Sequence, residues 1–159
     1  MITATLAVTS LLAALVVFLP IEVVLLAGGG LAEVPAWALA AICAATHTLG
    51  KGGHYALAAG LITNRRLHAW LTARVSAATR ARARRWNNSP LVTYLRGPTG
   101  WVISFSAAAI SLPPYALMPL VAPSVGQRWW EFATASFAGR WLRFYLILAV
   151  PMVARYVTG

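Results

Sequence analysis

The 159-residue chain is 60% apolar and 10% charged, with a mean hydropathy of +0.71. Soluble domains carry about 25% charged residues, so this composition excludes a water-facing globule. Thirteen Lys and Arg stand against three Glu and no Asp, for a net charge of +10, which excludes a carboxylate-held two-metal phosphoryl-transfer centre and points away from an enzyme.

The composition predicts one all-α integral membrane domain over residues 1–159. Residues 2–19 are an apolar run ended by Pro20, and no cation precedes it, so it reads as mature structure rather than a signal peptide. A shorter apolar piece, 21–31, follows and contains Gly28-Gly29-Gly30. Each piece is short for a crossing, which takes about 20 residues. Together they read as a re-entrant hairpin broken at Phe18-Leu19-Pro20-Ile21-Glu22; a single kinked crossing helix over 2–31 is the alternative.

Residues 35–62 are long enough to span, with Pro35 suited to a first helical turn and Trp37 to an interface. Residues 64–86 follow, with Arg65, Arg66, Arg74, Arg80, Arg82, Arg84 and Arg85. Leu67, Leu71, Val75 and Ala78 recur at helical spacing beside Trp70, which predicts an amphipathic helix lying on anionic lipid. Eight of the thirteen cations fall between Arg65 and Arg96. That bias places the 64–96 loop in the cytoplasm, and an Ala- and Arg-rich chain suggests a high-GC bacterium and hence its inner (plasma) membrane. It argues against nucleic acid as partner, because the flanking apolar segments leave no soluble domain to read it.

A turn at 87–90 marks the midpoint. Residues 91–112 and 115–121 form a second broken pair around Pro113-Pro114, and 129–157 is the last span, opened by Trp129-Trp130. The two halves, 1–62 and 91–159, flank a basic linker over 63–90 and correspond in order. Leu19-Pro20 matches Leu112-Pro113, and Gly50-Lys51-Gly52-Gly53-His54-Tyr55 matches Gly139-Arg140-Trp141-Leu142-Arg143-Phe144. The same offset of 89 pairs His47 with Ser136. A hairpin returns to its own side and a spanning helix crosses once. The expected fold is therefore an inverted repeat of re-entrant helical hairpin plus spanning helix, the architecture of secondary transporters.

His47, Lys51 and His54 share one helical face, and Ser136, Arg140 and Arg143 repeat the spacing. A Lys or Arg at mid-bilayer costs about 2.5–3.5 kcal/mol even on lenient scales, so these residues should face inward, toward Glu22. One carboxylate cannot neutralise Lys51, Arg140 and Arg143. The surplus calls for an anion, and the guanidinium fork suits phosphate, here that of a membrane lipid. The expected substrate-binding set is Lys51, His54, Arg140, Arg143, Ser136 and Tyr115, the last at the second break. Glu22 and His47 are the proton-coupling candidates; Glu22 as a structural partner of Lys51 or Arg140, and His47 as a hydrogen-bonding group, are the competing roles. Glu33 and Glu131 lie near segment ends and should be solvated. No cofactor or metal is expected, since Cys43, His47 and His54 make at most a weak ligand cluster. A homodimer is compatible with the pattern, but no heptad or small-residue face specifies one.

The segment Phe18-Leu19-Pro20-Ile21-Glu22-Val23-Val24-Leu25-Leu26-Ala27-Gly28-Gly29 resembles the Pro-x-Glu hairpin motif of the DedA family, also called VTT or SNARE-associated Golgi proteins. Gly50 to Tyr55 and on to Gly60 resembles its following Gly…Tyr…Gly helix, and Trp130-Glu131-Phe132 with Gly139 to Phe144 resembles the C-terminal part of its short YqaA-like members. The similarity covers roughly residues 15–150. It implies paired re-entrant hairpins and translocation of a lipid or lipid carrier: undecaprenyl phosphate with proton coupling in bacteria, phospholipid scrambling in eukaryotes. By position, Glu22 matches the hairpin carboxylate, and Arg140 and Arg143 lie in the matching C-terminal helix. Many members carry an Asp near Lys51 and an Arg beside the second hairpin, where this chain has Ser111, Pro113, Pro114 and Tyr115. Those departures shift the site toward plain anion binding. Three functions follow: a lipid-phosphate transporter, a non-transporting membrane protein with an internal ion-pair cluster, or a small ion or proton pathway.

Overall fold

The computed structural model describes residues 1–15, 22, 25, 34–62, 65–87, 95 and 99–158. Every regular element among them is helical: α1 (Ile2–Leu15), α2 (Ala36–Ala58), α3 (Arg65–Arg74), α4 (Ala77–Asn87), α5 (Thr99–Ile110), α6 (Met118–Val121) and α7 (Trp129–Thr158). Two 3-10 turns, Tyr115–Leu117 and Ala122–Val125, flank α6. Among the described residues no helix is long and apolar enough to cross a membrane.

Local chemistry sets the helix ends. Pro35 sits one residue earlier than expected, outside α2, and its carbonyl accepts the Ala38 and Leu39 N–H groups at 2.9 and 3.0 Å. At the other end Gly60, at φ +70°, lets the Leu61 N–H reach back to the Ala56 carbonyl at 2.9 Å, the 6→1 bond of a Schellman stop. Glu131 is not merely solvated: its Oε2 accepts the Arg128 N–H at 3.1 Å and so caps α7.

The basic segment departs from expectation. It is two helices, because Ser76 Oγ accepts the Thr79 N–H at 3.1 Å and starts α4 afresh. The inward stripe is Leu71, Val75 and Thr79, with Ala83 packed against a core, while Ala78 is exposed. Leu71 covers Gly53 of α2, so this stripe is spent on the protein itself rather than on lipid.

Contact register gives the helix directions. Ser10 Oγ donates to the Cys43 carbonyl at 2.8 Å, and Leu11 and Ala14 meet Gly50, so α1 runs parallel to α2. Trp101 reaches Thr134, Phe105 and Ala108 meet Gly139, and Arg143 reaches Ala109, so α5 runs parallel to α7. The Tyr55 hydroxyl donates to the Gln127 carbonyl at 2.6 Å, and Trp141 Nε1 donates to the Trp37 carbonyl at 3.1 Å. The α2 and α7 helices are therefore antiparallel, and the two pairs point in opposite directions. The segment that links the parallel α1 and α2, and with it the choice between a hairpin and a single kinked crossing helix over 2–31, lies outside the described residues, Glu22 and Leu25 excepted. The break at 18–22, Glu22 excepted, lies outside the described residues, as do the triple glycine and most of 88–98.

The second return is described throughout. Ser111, at φ 62°, ends α5, and the chain then runs back through α6 to Gln127. Gln127 Nε2 donates to the Gly100 carbonyl at 3.3 Å and pairs with Ser104 Oγ at 3.0 Å, which closes the return against the start of α5. Gln127→Ala strands the buried Ser104 hydroxyl, so we expect about 2 kcal/mol of lost stability, read as a lower unfolding midpoint of the purified protein; an unchanged midpoint contradicts this closure.

Two apolar cores result. One joins Leu6, Ala13, Leu39, Cys43, Ala44 and Phe144; the other joins Tyr55, Ala107, Tyr115, Met118, Val121 and Phe132. Each draws on opposite ends of the antiparallel α2 and α7, and the middles of those two helices carry the polar residues between them.

Candidate functional site

Gly50 and Gly139 bring the helices close enough to build the site. A Cβ on Gly50 would lie 2.6 Å from Ala14 Cβ and 3.0 Å from the Leu11 carbonyl; on Gly139, 2.7 Å from Ala108 Cβ and 2.6 Å from the Phe105 carbonyl. An offset of 94 carries Leu11 onto Phe105 and Ala14 onto Ala108, as 89 carries Gly50 onto Gly139. The buried positions of α1 (Leu6, Ser10, Ala13, Ala14) fall by the same 94 on those of α5 (Gly100, Ser104, Ala107, Ala108). Both halves thus seat their first helix on their second in one register.

On α2, His47, Lys51 and His54 are buried; on α7, Ser136 and Arg140 are buried and Arg143 is half-buried. Lys51 is 3% and Arg140 7% exposed, values reached by few cations in any protein. Glu22 joins them across 118 residues of sequence: its Oε1 accepts Arg140 Nη1 at 3.2 Å and Arg143 Nε at 3.0 Å. Arg143 Nη1 also donates to the Ala109 carbonyl at 3.3 Å and to Ser111 Oγ at 3.2 Å. It therefore ties the end of α5 to the Glu22 carboxylate, which makes it a strap as much as a ligand.

The second break contributes Tyr115. The Arg140 guanidinium carbon lies 4.3 Å from the centre of its ring, and the His47 ring is 6.1 Å away. Arg140 thus touches the Glu22 carboxylate on one side and the aromatic face of the second break on the other. His47 packs edge-on to Phe144 at 6.0 Å. Lys51 lies within electrostatic reach of Arg140 and of both histidines.

Much of this polar surface is unused. Both ring nitrogens of His47, His54 Nε2, Thr48 Oγ1, Tyr115 OH, Ser136 Oγ and Arg140 Nε are buried without a hydrogen-bond partner among the described residues. The Tyr115 hydroxyl stands beside Ser136 and Arg140 without the geometry of a bond to either. An unmade hydrogen bond of this kind costs about 1–3 kcal/mol, more at a charge. Three cations against one carboxylate leave the cluster positive, and most of the idle groups can donate. Such a set can hold a multidentate, oxygen-rich anion. The described residues contain no group of three His, Cys, Asp or Glu able to hold a metal.

All eight residues expected to form the site therefore lie in one connected cluster. Sequence reasoning missed Gln127, Ser10 and Ser104, the supports behind it. The 94-residue offset between α1 and α5 was the available signal for the serines; a lone Gln between Gly126 and Arg128 offers none.

What fold and site define is an all-helical protein of two opposed helix pairs around a buried, positively charged polar cluster. The chain matches no protein-family model, no curated protein and no solved structure.

Proposed function

We propose that this is an integral membrane transporter, a flippase of an anionic lipid phosphate of the undecaprenyl phosphate or phospholipid kind. The observation that carries the reading is the buried cluster: a surplus of cations and idle polar groups, placed between the antiparallel α2 and α7 beside Glu22 and the second break. Substrate sites at paired breaks between opposed halves are the arrangement of inverted-repeat transporters. Lys51, His54, Ser136, Arg140 and Tyr115 hold the phosphate, Arg143 straps the hairpins, and Glu22 with His47 couples to protons.

Membrane residence draws support from where the polar and apolar groups lie. Lys51, Arg140 and three histidine or serine neighbours are buried, whereas all six tryptophans whose side chains are described are exposed, with Val8, Leu12, Ile42, Leu49, Val102 and Ile110. That is the reverse of a soluble protein. Trp37 opens α2, while Trp101, Trp129 and Trp130 lie at the starts of α5 and of the antiparallel α7, as interface anchors do. With 23 and 30 residues, α2 and α7 are roughly 34 and 45 Å long at 1.5 Å per residue, beyond the ~30 Å hydrocarbon core. Their mean apolarity is lowered by inward-facing residues that never meet lipid.

A second reading has its own support. Glu22 already binds Arg140 and Arg143, as in a closed structural ion-pair cluster. Proteoliposomes separate the readings. The transporter moves a fluorescent lipid phosphate between leaflets, and Lys51→Ala slows it at least tenfold with insertion unchanged. Equal rates in protein-free vesicles favour the structural cluster; proton leak without lipid movement favours a small ion pathway.

A further inference from the structure

The arginines of α4 take no part in the buried cluster. Arg80, Arg82, Arg84 and Arg85 are all exposed, and the sequence has no Glu or Asp between residues 34 and 130. Arg80 and Arg84, one helical turn apart, flank Ala81, and with Ala77 they line a concavity of about 390 Å³. Like charges at this spacing destabilise a helix by about 0.2–0.5 kcal/mol per pair, so an anion between them relieves repulsion that no side chain of α4 can.

We propose that the outward face of α4 is a headgroup-binding surface for anionic lipid, with the notch between Arg80 and Arg84 as its phosphate subsite. It rests on the membrane reading but not on what the buried cluster carries. Three observations favour this occupant. The guanidinium fork matches phosphate oxygens, and two forks facing one small alanine floor hold a single headgroup. The inward stripe Leu71, Val75, Thr79 and Ala83 is taken up by the bundle, which leaves the arginines on the outward side of α4. Trp70 of α3 and Leu112, just before the Tyr115 turn that α4 lies on, are exposed at 43% and 68%. Apolar side chains beside an arginine face suit a bilayer interface better than a nucleic-acid polymer.

The surface also has a route to the cluster. The inner side of α4 lies on Tyr115–Leu117 and on α6. Tyr115 carries the ring under Arg140. Headgroup binding at the notch therefore holds the segment that shapes one wall of the buried site.

The test uses the full chain in phosphatidylcholine nanodiscs, titrated with phosphatidylglycerol, with retained lipid read by native mass spectrometry. Two exposed arginines at about 1 kcal/mol each predict a roughly 30-fold weaker dissociation constant for phosphatidylglycerol in Arg80→Gln/Arg84→Gln, and the loss of preference over phosphatidylcholine. An unchanged constant in the double variant overturns the site. So does loss of preference in Lys51→Met with the double variant intact, because the lipid then sits in the buried cluster. Binding of a DNA duplex through Arg80 and Arg84, without any phosphatidylglycerol preference, overturns it as well. Extraction of the wild type by alkaline carbonate is a separate outcome, one that sinks the membrane reading itself.

Discussion

Arg140→Ala is expected to abolish lipid-phosphate movement in proteoliposomes, by at least about 100-fold. The side chain binds Glu22 at 3.2 Å, lies 4.3 Å from the Tyr115 ring centre, and keeps a buried, unpartnered Nε. Removing one partner of a buried ion pair costs about 3–5 kcal/mol, and 1.4 kcal/mol is a factor of ten. Part of that loss falls on folding, so two companions separate binding from stability. Arg140→Lys keeps the charge but neither the planar fork nor Nε, and should recover less than about a tenth of the rate while restoring insertion. Arg140→Ala/Glu22→Ala removes both partners and should regain stability without regaining transport. Wild-type rates in a properly inserted Arg140→Ala protein would end the role assigned to this residue.

The second large effect concerns the two close-packed glycines. Gly139→Ala places a methyl 2.6 Å from the Phe105 carbonyl oxygen and 3.0 Å from the Ala109 nitrogen, neither of which can rotate away. Gly50→Ala meets Ala14 Cβ at 2.6 Å and the Leu11 carbonyl at 3.0 Å. Overpacking of this kind costs about 1–3 kcal/mol and sometimes more, so each should lower the unfolding midpoint of the purified protein, Gly139→Ala the more. Gly53→Ala is the control, because its nearest neighbour is the flexible Leu71 Cδ2 at 3.5 Å. There the helix-propensity gain of about 1 kcal/mol should dominate and raise the midpoint. If all three variants shift alike, the shared register of the two halves is not what holds the helices together.

That register explains how one cluster draws on distant sequence. The α1 helix is seated on α2 as α5 is on α7, and the antiparallel α2 and α7 bring His47, Lys51 and His54 against Ser136, Arg140 and Arg143. Each triplet is visible as a spacing because a helix repeats every 3.6 residues, and residues four and seven apart share a face. Their inward orientation is visible too, since cations in a chain this apolar have nowhere cheaper to go.

Other features are not local and so are not legible. The basic segment reads as one amphipathic helix over 64–86. It breaks at 75–76 because the Ser76 side chain competes for the Thr79 N–H, and propensity alone does not rank that bond against helix continuation. The direction of α1 against α2 is another such feature, since no periodicity encodes it. Only the contacts of Ser10 with Cys43 and of Ala14 with Gly50 make α1 parallel to α2. Arg143 reads from its spacing as a second phosphate ligand. Its geometry adds bonds to Ser111 and Ala109 beside the one to Glu22, a pairing set by how α5 ends.

By itself, then, the sequence determined the helical class, the charge asymmetry, the duplicated order of segments and the residues of the buried cluster, because each follows from composition or from a period along one chain. Tertiary structure alone decided the Glu22–Arg140–Tyr115 junction, the strap made by Arg143 and the outward face of α4. Those depend on backbone approach at Gly50 and Gly139 and on which side chains reach across 118 or 121 residues, distances along the chain at which no local preference acts.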